Sequence, residues 1–147
     1  GPTRRYGKYV SDLADNGFAV RSADRERFQL VRNTDTASLE HEDDVLAELD
    51  PGGGDMFAWA NPYIYLITGR LQHGRVNGDY PEQLVPKLYD EWINMINSDP
   101  PRVLFVQSGW WHMKLPQHSP AAWAAIQEQY RVAKETSAGT WYVLRST

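Results

Sequence analysis

Seven side chains in this sequence have the chemistry to grip a ligand: Asn61, Tyr63, Arg70, Arg75, Trp110, Trp111 and His112. Asn61 and Tyr63 follow directly on the apolar run Met56–Ala60. Trp110, Trp111 and His112 follow the run Arg102–Gln107 through Ser108-Gly109. Amide, phenol, indole and imidazole groups gathered at one place suit sugar hydroxyls and the flat faces of sugar rings. The same residues have a structural reading, with Asn61 as a helix cap and Trp110 and Trp111 filling the domain edge. Arg70 and Arg75 flank a polar loop and have the fork geometry to hold a phosphate or carboxylate bidentately. Against that, Arg75 reads as a solvated loop tip or a partner of Asp79. For Arg70, directly after a helix stop, both readings stand.

Other chemistries find no support. The chain has no Cys, which removes disulfides, thiolate catalysis and Cys-based zinc sites together. His41, His73, His112 and His118 lack the short helical spacing of a zinc site. Gly52-Gly53-Gly54 precedes a strand candidate, whereas phosphate-binding glycines follow one. Ser108 lacks the Gly-x-Ser-x-Gly elbow of a hydrolase nucleophile. The acidic run Glu40-His41-Glu42-Asp43-Asp44 fits the positive end of a helix dipole better than a metal cluster. No catalytic residue, metal or cofactor is therefore assigned. The remaining enzymatic option is a small site built on His112 with a carboxylate.

The elements that must position these residues come next. Arg102–Gln107, with four apolar residues in succession, reads as a strand buried on both faces, and Met56–Ala60 as a shorter one. Helix material between them favours a parallel pair joined by a crossover. If the two strands are adjacent, their polar exits meet on one rim, where ligands of open parallel sheets tend to sit. Helices are expected from Thr36 or Ser38 to Leu49, from Asn61-Pro62 to Gly69, up to about Asn97, and from Ser119-Pro120 to Gln129. Ser108–His118 reads as a loop. Hairpins are expected at both chain ends: Phe18–Arg21 with Arg27–Val31 after a short helix Tyr6–Asp15, and Arg131–Glu135 with Thr140–Arg145. The two hairpins echo each other in sequence, and chance similarity accounts for this better than duplication. The fold class is thus α/β, a mixed sheet with a parallel central pair, antiparallel hairpins at both ends, and flanking helices.

Length and charge agree. A chain of 147 residues with 41% hydrophobic content holds one packed domain, here read as 1–147 with Gly1-Pro2 as a protease-cleavage remnant. The net charge of −4 and the lack of a long basic stripe disfavour nucleic-acid binding. No apolar run is long enough to span a bilayer. Six Trp residues imply a dense core or a contact surface.

One resemblance adds to this reading. Trp59-Ala60-Asn61-Pro62-Tyr63-Ile64-Tyr65-Leu66-Ile67-Thr68-Gly69-Arg70, with Arg75 in the next loop, resembles a segment of bacterial GT-C-type membrane glycosyltransferases, similar to protein mannosyltransferases and aminoarabinose transferases. Ser98-Asp99-Pro100-Pro101-Arg102 with its Val-rich strand resembles the next part of that pattern. Tyr130 and Trp141-Tyr142-Val143-Leu144-Arg145 resemble its close. The resemblance runs from about Val45 to the end. It implies a carboxyl-terminal domain on the outer face of the cytoplasmic membrane, with the transmembrane part of the same polypeptide as partner and a glycan or polyprenyl-phosphate sugar as ligand. It also implies that catalytic carboxylates lie in the membrane part, so this domain is non-catalytic. The alternative expectation is a free-standing glycan-binding or protein-interaction module.

Overall fold

The computed structural model describes residues 38–79 and 84–146. Contacts divide the chain into Gly1–His41 and Glu42–Thr147, and the architecture below is that of the second unit. The amino-terminal helix and hairpin expected before Val31 lie outside the described residues, as does the echo they form.

In chain order the elements are α1 (Glu42–Leu49), β1 (Phe57–Trp59), α2 (Tyr63–Thr68), a 3-10 turn (Pro86–Leu88), α3 (Tyr89–Ser98), β2 (Val103–Gln107), α4 (Trp110–His118), α5 (Pro120–Gln129), β3 (Tyr130–Glu135) and β4 (Gly139–Leu144). The described strands form one mixed sheet in the order β1-β2-β4-β3. β1 runs parallel to β2, with Phe57 opposite Leu104 and Trp59 opposite Val106. β4 lies antiparallel between β2 and β3. The α/β class, the parallel pair, the carboxyl-terminal hairpin and the flanking helices all match the sequence reading.

β2 is buried along its whole length because both sheet faces are covered. On one face Phe57, Trp59, Leu104, Val106 and Tyr142 form a core with Trp92 and Ile96 of α3, Trp111 and Leu115 of α4, and Ile126 of α5. On the other, the Trp141 indole donates to the Glu42 carboxylate at 2.7 Å and draws the start of α1 onto β4. Trp59, Trp92 and Trp141 are fully buried. Burying one Trp removes about 150–250 Å² from water, an upper estimate of about 4–6 kcal/mol each at 25 cal/mol/Å². The tryptophan richness is therefore chiefly core.

Two helix boundaries differ from expectation. α1 starts at Glu42, with residues 38–41 in a turn. More important, Trp110–His118 is a helix and not a loop, despite Pro116 inside it. A helix-interior Pro costs about 3 kcal/mol, but Trp111 and Leu115, one turn apart, are both buried against the sheet. Their burial outweighs the local penalty.

Candidate functional site

The two strand exits do converge. The Asn61 backbone N–H donates to the Gln107 Oε1 at 2.9 Å, so the ends of β1 and β2 are bonded to each other. The Asn61 side chain is used as a cap: its Oδ1 accepts from the Tyr63 N–H at 3.0 Å. Tyr63 itself is buried. Ser108 donates its hydroxyl to the carbonyls of Ala138 (2.9 Å) and Ser137 (3.2 Å), fastening the rim to the β3–β4 turn. The rim is thus a closed joint of the scaffold.

The aromatic residues follow the same logic. Trp111 is buried and its indole donates to Asp79 Oδ1 at 3.3 Å, so the carboxylate suggested as an Arg75 partner is engaged elsewhere. Trp110 is half-buried and meets the Trp111 ring edge-on at 6.5 Å and the His118 ring at 5.5 Å. His112 lies on the exposed side of α4, with its ring edge-on to Trp123 at 5.9 Å. His112 and Trp110 are therefore the accessible members of the trio, and each leans on a separate neighbour.

For Arg70, where two readings stood, the structural one describes the geometry. Its guanidinium reaches Asp50 Oδ2 at 2.9 Å, the Asp50 carbonyl at 2.6 Å and the Gly54 carbonyl at 3.0 Å. It satisfies the carboxyl end of α1 and closes the glycine turn behind it. The Asp50 carboxylate also lies 3.2 Å from Arg102 Nε. Asp50 is buried, so one carboxylate organises two arginines from distant segments. Arg75 is exposed and apart from this network.

Two phenols complete the scaffold. Tyr65 accepts from the Ala58 N–H at 3.0 Å, occupying a backbone donor of β1. Burial pushes its ionisation well above the usual 10.0, and the Ala58 donor offsets this only in part. Tyr130 donates to the Pro101 carbonyl at 2.6 Å, and burial raises its pKa in the same way.

Among the described residues the opposite end of the sheet carries a groove. A cavity of about 470 Å³ lies there, walled by Arg102, Arg131, Arg145, Leu49, Val143 and Leu144, with Ser146 at its margin. Arg102 precedes β2, Arg131 is the second residue of β3, and Arg145 follows β4. All three are exposed. Backbone bonds fix their bases: the Leu144 N–H donates to the Arg102 carbonyl and the Arg145 N–H to the Gln129 carbonyl, each at 2.9 Å. Sequence reasoning did not assemble this group, because the three arginines come from separate strand ends. The available signal was that Arg102 and Arg145 each close a recognisable motif.

No protein-family model matches the chain, and no curated protein or solved structure matches it either. Among the described residues no helix is long and apolar enough to cross a membrane.

Proposed function

We propose that this chain is a non-catalytic accessory domain of a membrane glycosyltransferase that uses polyprenyl-phosphate sugars. It stands on the outer face of the cytoplasmic membrane and helps position acceptor glycan or carrier. One observation carries the reading. The residues that resemble the glycosyltransferase pattern, though far apart in sequence, are bonded to one another. Arg70 and Arg102 share Asp50. Pro101 accepts from Tyr130, and Arg102 accepts from Leu144. A pattern whose separate pieces meet in space behaves as one folding unit, which supports a common origin for it. Most of its polar groups serve the scaffold, which suits a positioning domain better than a reaction centre.

The test is the reading frame that encodes the chain. It should contain a series of membrane-spanning helices upstream of these residues, and a frame encoding a soluble protein alone would overturn the proposal. Transfer from a polyprenyl-phosphate sugar should require that membrane part. Turnover by the chain alone, abolished in His112→Ala, would assign the chemistry here instead.

A second reading, a free-standing glycan-binding or protein-interaction module, draws on the half-buried Trp110 and exposed His112. Glycan binding by the isolated chain that Trp110→Ala removes would favour it.

A further inference from the structure

We infer that the groove between Arg102, Arg131 and Arg145 binds a phosphate ester. The chain as a whole is acidic, with 15 basic and 19 acidic residues, yet the described walls of this groove hold three arginines, and the carboxylate beside them, Asp50, 3.2 Å from Arg102 Nε, is shared with Arg70. Such a local excess of positive charge, against the sign of the whole molecule, attracts an anion. Guanidinium groups also match the oxygen geometry of phosphate by paired N–H donation.

The number of arginines selects among anions. A carboxylate carries one negative charge, whereas a phosphate monoester carries about 1.5 to 2 at neutral pH and offers three acceptor oxygens. Three guanidinium arms lining one groove suit the latter. Arg102 is preset, because buried Asp50 holds its Nε at 3.2 Å and its backbone carbonyl is bonded to β4. The other two arms rise from neighbouring strands: Arg131 stands opposite Val143, two residues before Arg145. The volume of about 470 Å³ lies in the range of small-molecule sites. Leu49, Val143 and Leu144 are half-buried and give the groove an apolar wall for the organic part of the ester. The same chemistry is offered by a soluble phosphate compound and by a lipid headgroup. The inference does not depend on the glycosyltransferase reading, since it concerns binding by this chain alone.

The experiment is a titration of the isotopically labelled 147-residue chain, followed by amide and arginine Nε–H resonances. Three probes are used: inorganic phosphate, dodecyl phosphate below its micelle concentration, and phosphatidylcholine vesicles with or without phosphatidic acid. Saturable shifts are expected at Arg102, Arg131 and Val143–Ser146. Arg131→Gln and Arg145→Gln should each weaken binding about tenfold, the loss of one charge-assisted contact. Both side chains are exposed, and an unchanged spectrum elsewhere verifies the fold of each variant. Equal affinity for the two soluble probes assigns the groove to a free phosphate group. Tighter binding of dodecyl phosphate, with shifts at Leu49 and vesicle binding that needs phosphatidic acid, assigns it to a lipid headgroup. The inference is overturned if no probe saturates, if the shifts map elsewhere, or if both Gln variants bind like the parent chain.

Discussion

Replacing Asp50 by Ala removes the one buried carboxylate that Arg70 and Arg102 share. The two pairs differ in worth. Arg70 is 13% exposed at its side chain and Asp50 4%, so removing the acid leaves a guanidinium largely out of water with its charge uncompensated. Breaking such a pair costs about 3–5 kcal/mol. The Asp50 and Gly54 carbonyls would still accept from Arg70, which places the loss at the lower end, about 3 kcal/mol. Arg102 is 73% exposed, and its share adds about 0.5 kcal/mol or less. For a chain of 147 residues a loss of this size lowers the Tm by about 10 °C. Urea unfolding followed by tryptophan fluorescence measures it directly, because Trp59, Trp92 and Trp141 are all fully buried. The double variant Asp50→Ala/Arg70→Ala separates the pair from other effects. If the charge left behind is what hurts, the double should lie well above the sum of the singles in stability, with a coupling of about 2 kcal/mol. A single variant within about 1 kcal/mol of the parent, or strictly additive behaviour, would refute the reasoning.

Three further outcomes follow from the same geometry. Gly139→Ala places a Cβ against the Val106 carbonyl oxygen and 2.9 Å from the Gln107 Cα, both backbone atoms of β2 that cannot swing aside. The cost is about 3 kcal/mol, read as a lower urea midpoint; parental stability would show that β4 does not approach β2 so closely. Asn61→Ala loses the cap on α2 but keeps the backbone bond to Gln107, so about 1 kcal/mol is expected, a Tm lower by about 3 °C in a thermal melt. With pH, Tyr130 and Tyr65 both resist ionisation in the fold, while the unfolded chain releases those protons near 10.0. Above that value the unfolded state binds fewer protons than the native one, so stability is fully present below pH 10 and falls as pH rises beyond it. Alkaline unfolding should start near pH 10, with two phenols ionising only as the chain unfolds. Their titration at ordinary pH in the folded chain, seen by phenolate absorbance, would contradict this.

How much of this was legible in the sequence depended on how local each determinant is. β2 announced itself by four consecutive apolar residues, α5 by Ser119-Pro120, and the β3–β4 hairpin by Ser137-Ala138-Gly139. The joining of the β1 and β2 exits was also readable, because parallel neighbours must end on the same side. α4 was hidden by its own Pro116, since the compensation comes from a sheet that no local window contains. The role of Arg70 turned on Asp50, twenty residues earlier. Glu42 looked like one of several acids favouring a helix start. Only the fold reveals that it alone is buried, bonded to Trp141 and to Thr136 at 2.6 Å.

The placement of the open groove has a topological cause. In open α/β sheets the ligand sits beyond the carboxyl ends of the strands. Here the carboxyl end of β2 is closed by Asn61, by Ser108 and by α4, which begins three residues after the strand. β4, inserted antiparallel beside β2, has its carboxyl end at the opposite edge, beside the start of β2. After β4, Arg145 and Ser146 are exposed and lie outside any helix or strand. The exits read from the sequence belong to the parallel pair, and the groove proposed for a phosphate ester lies beside the antiparallel strand between β2 and β3. Residues that close the rim and residues that line the groove therefore occupy opposite ends of one rigid sheet, where substitution of the first set acts on stability and of the second on binding.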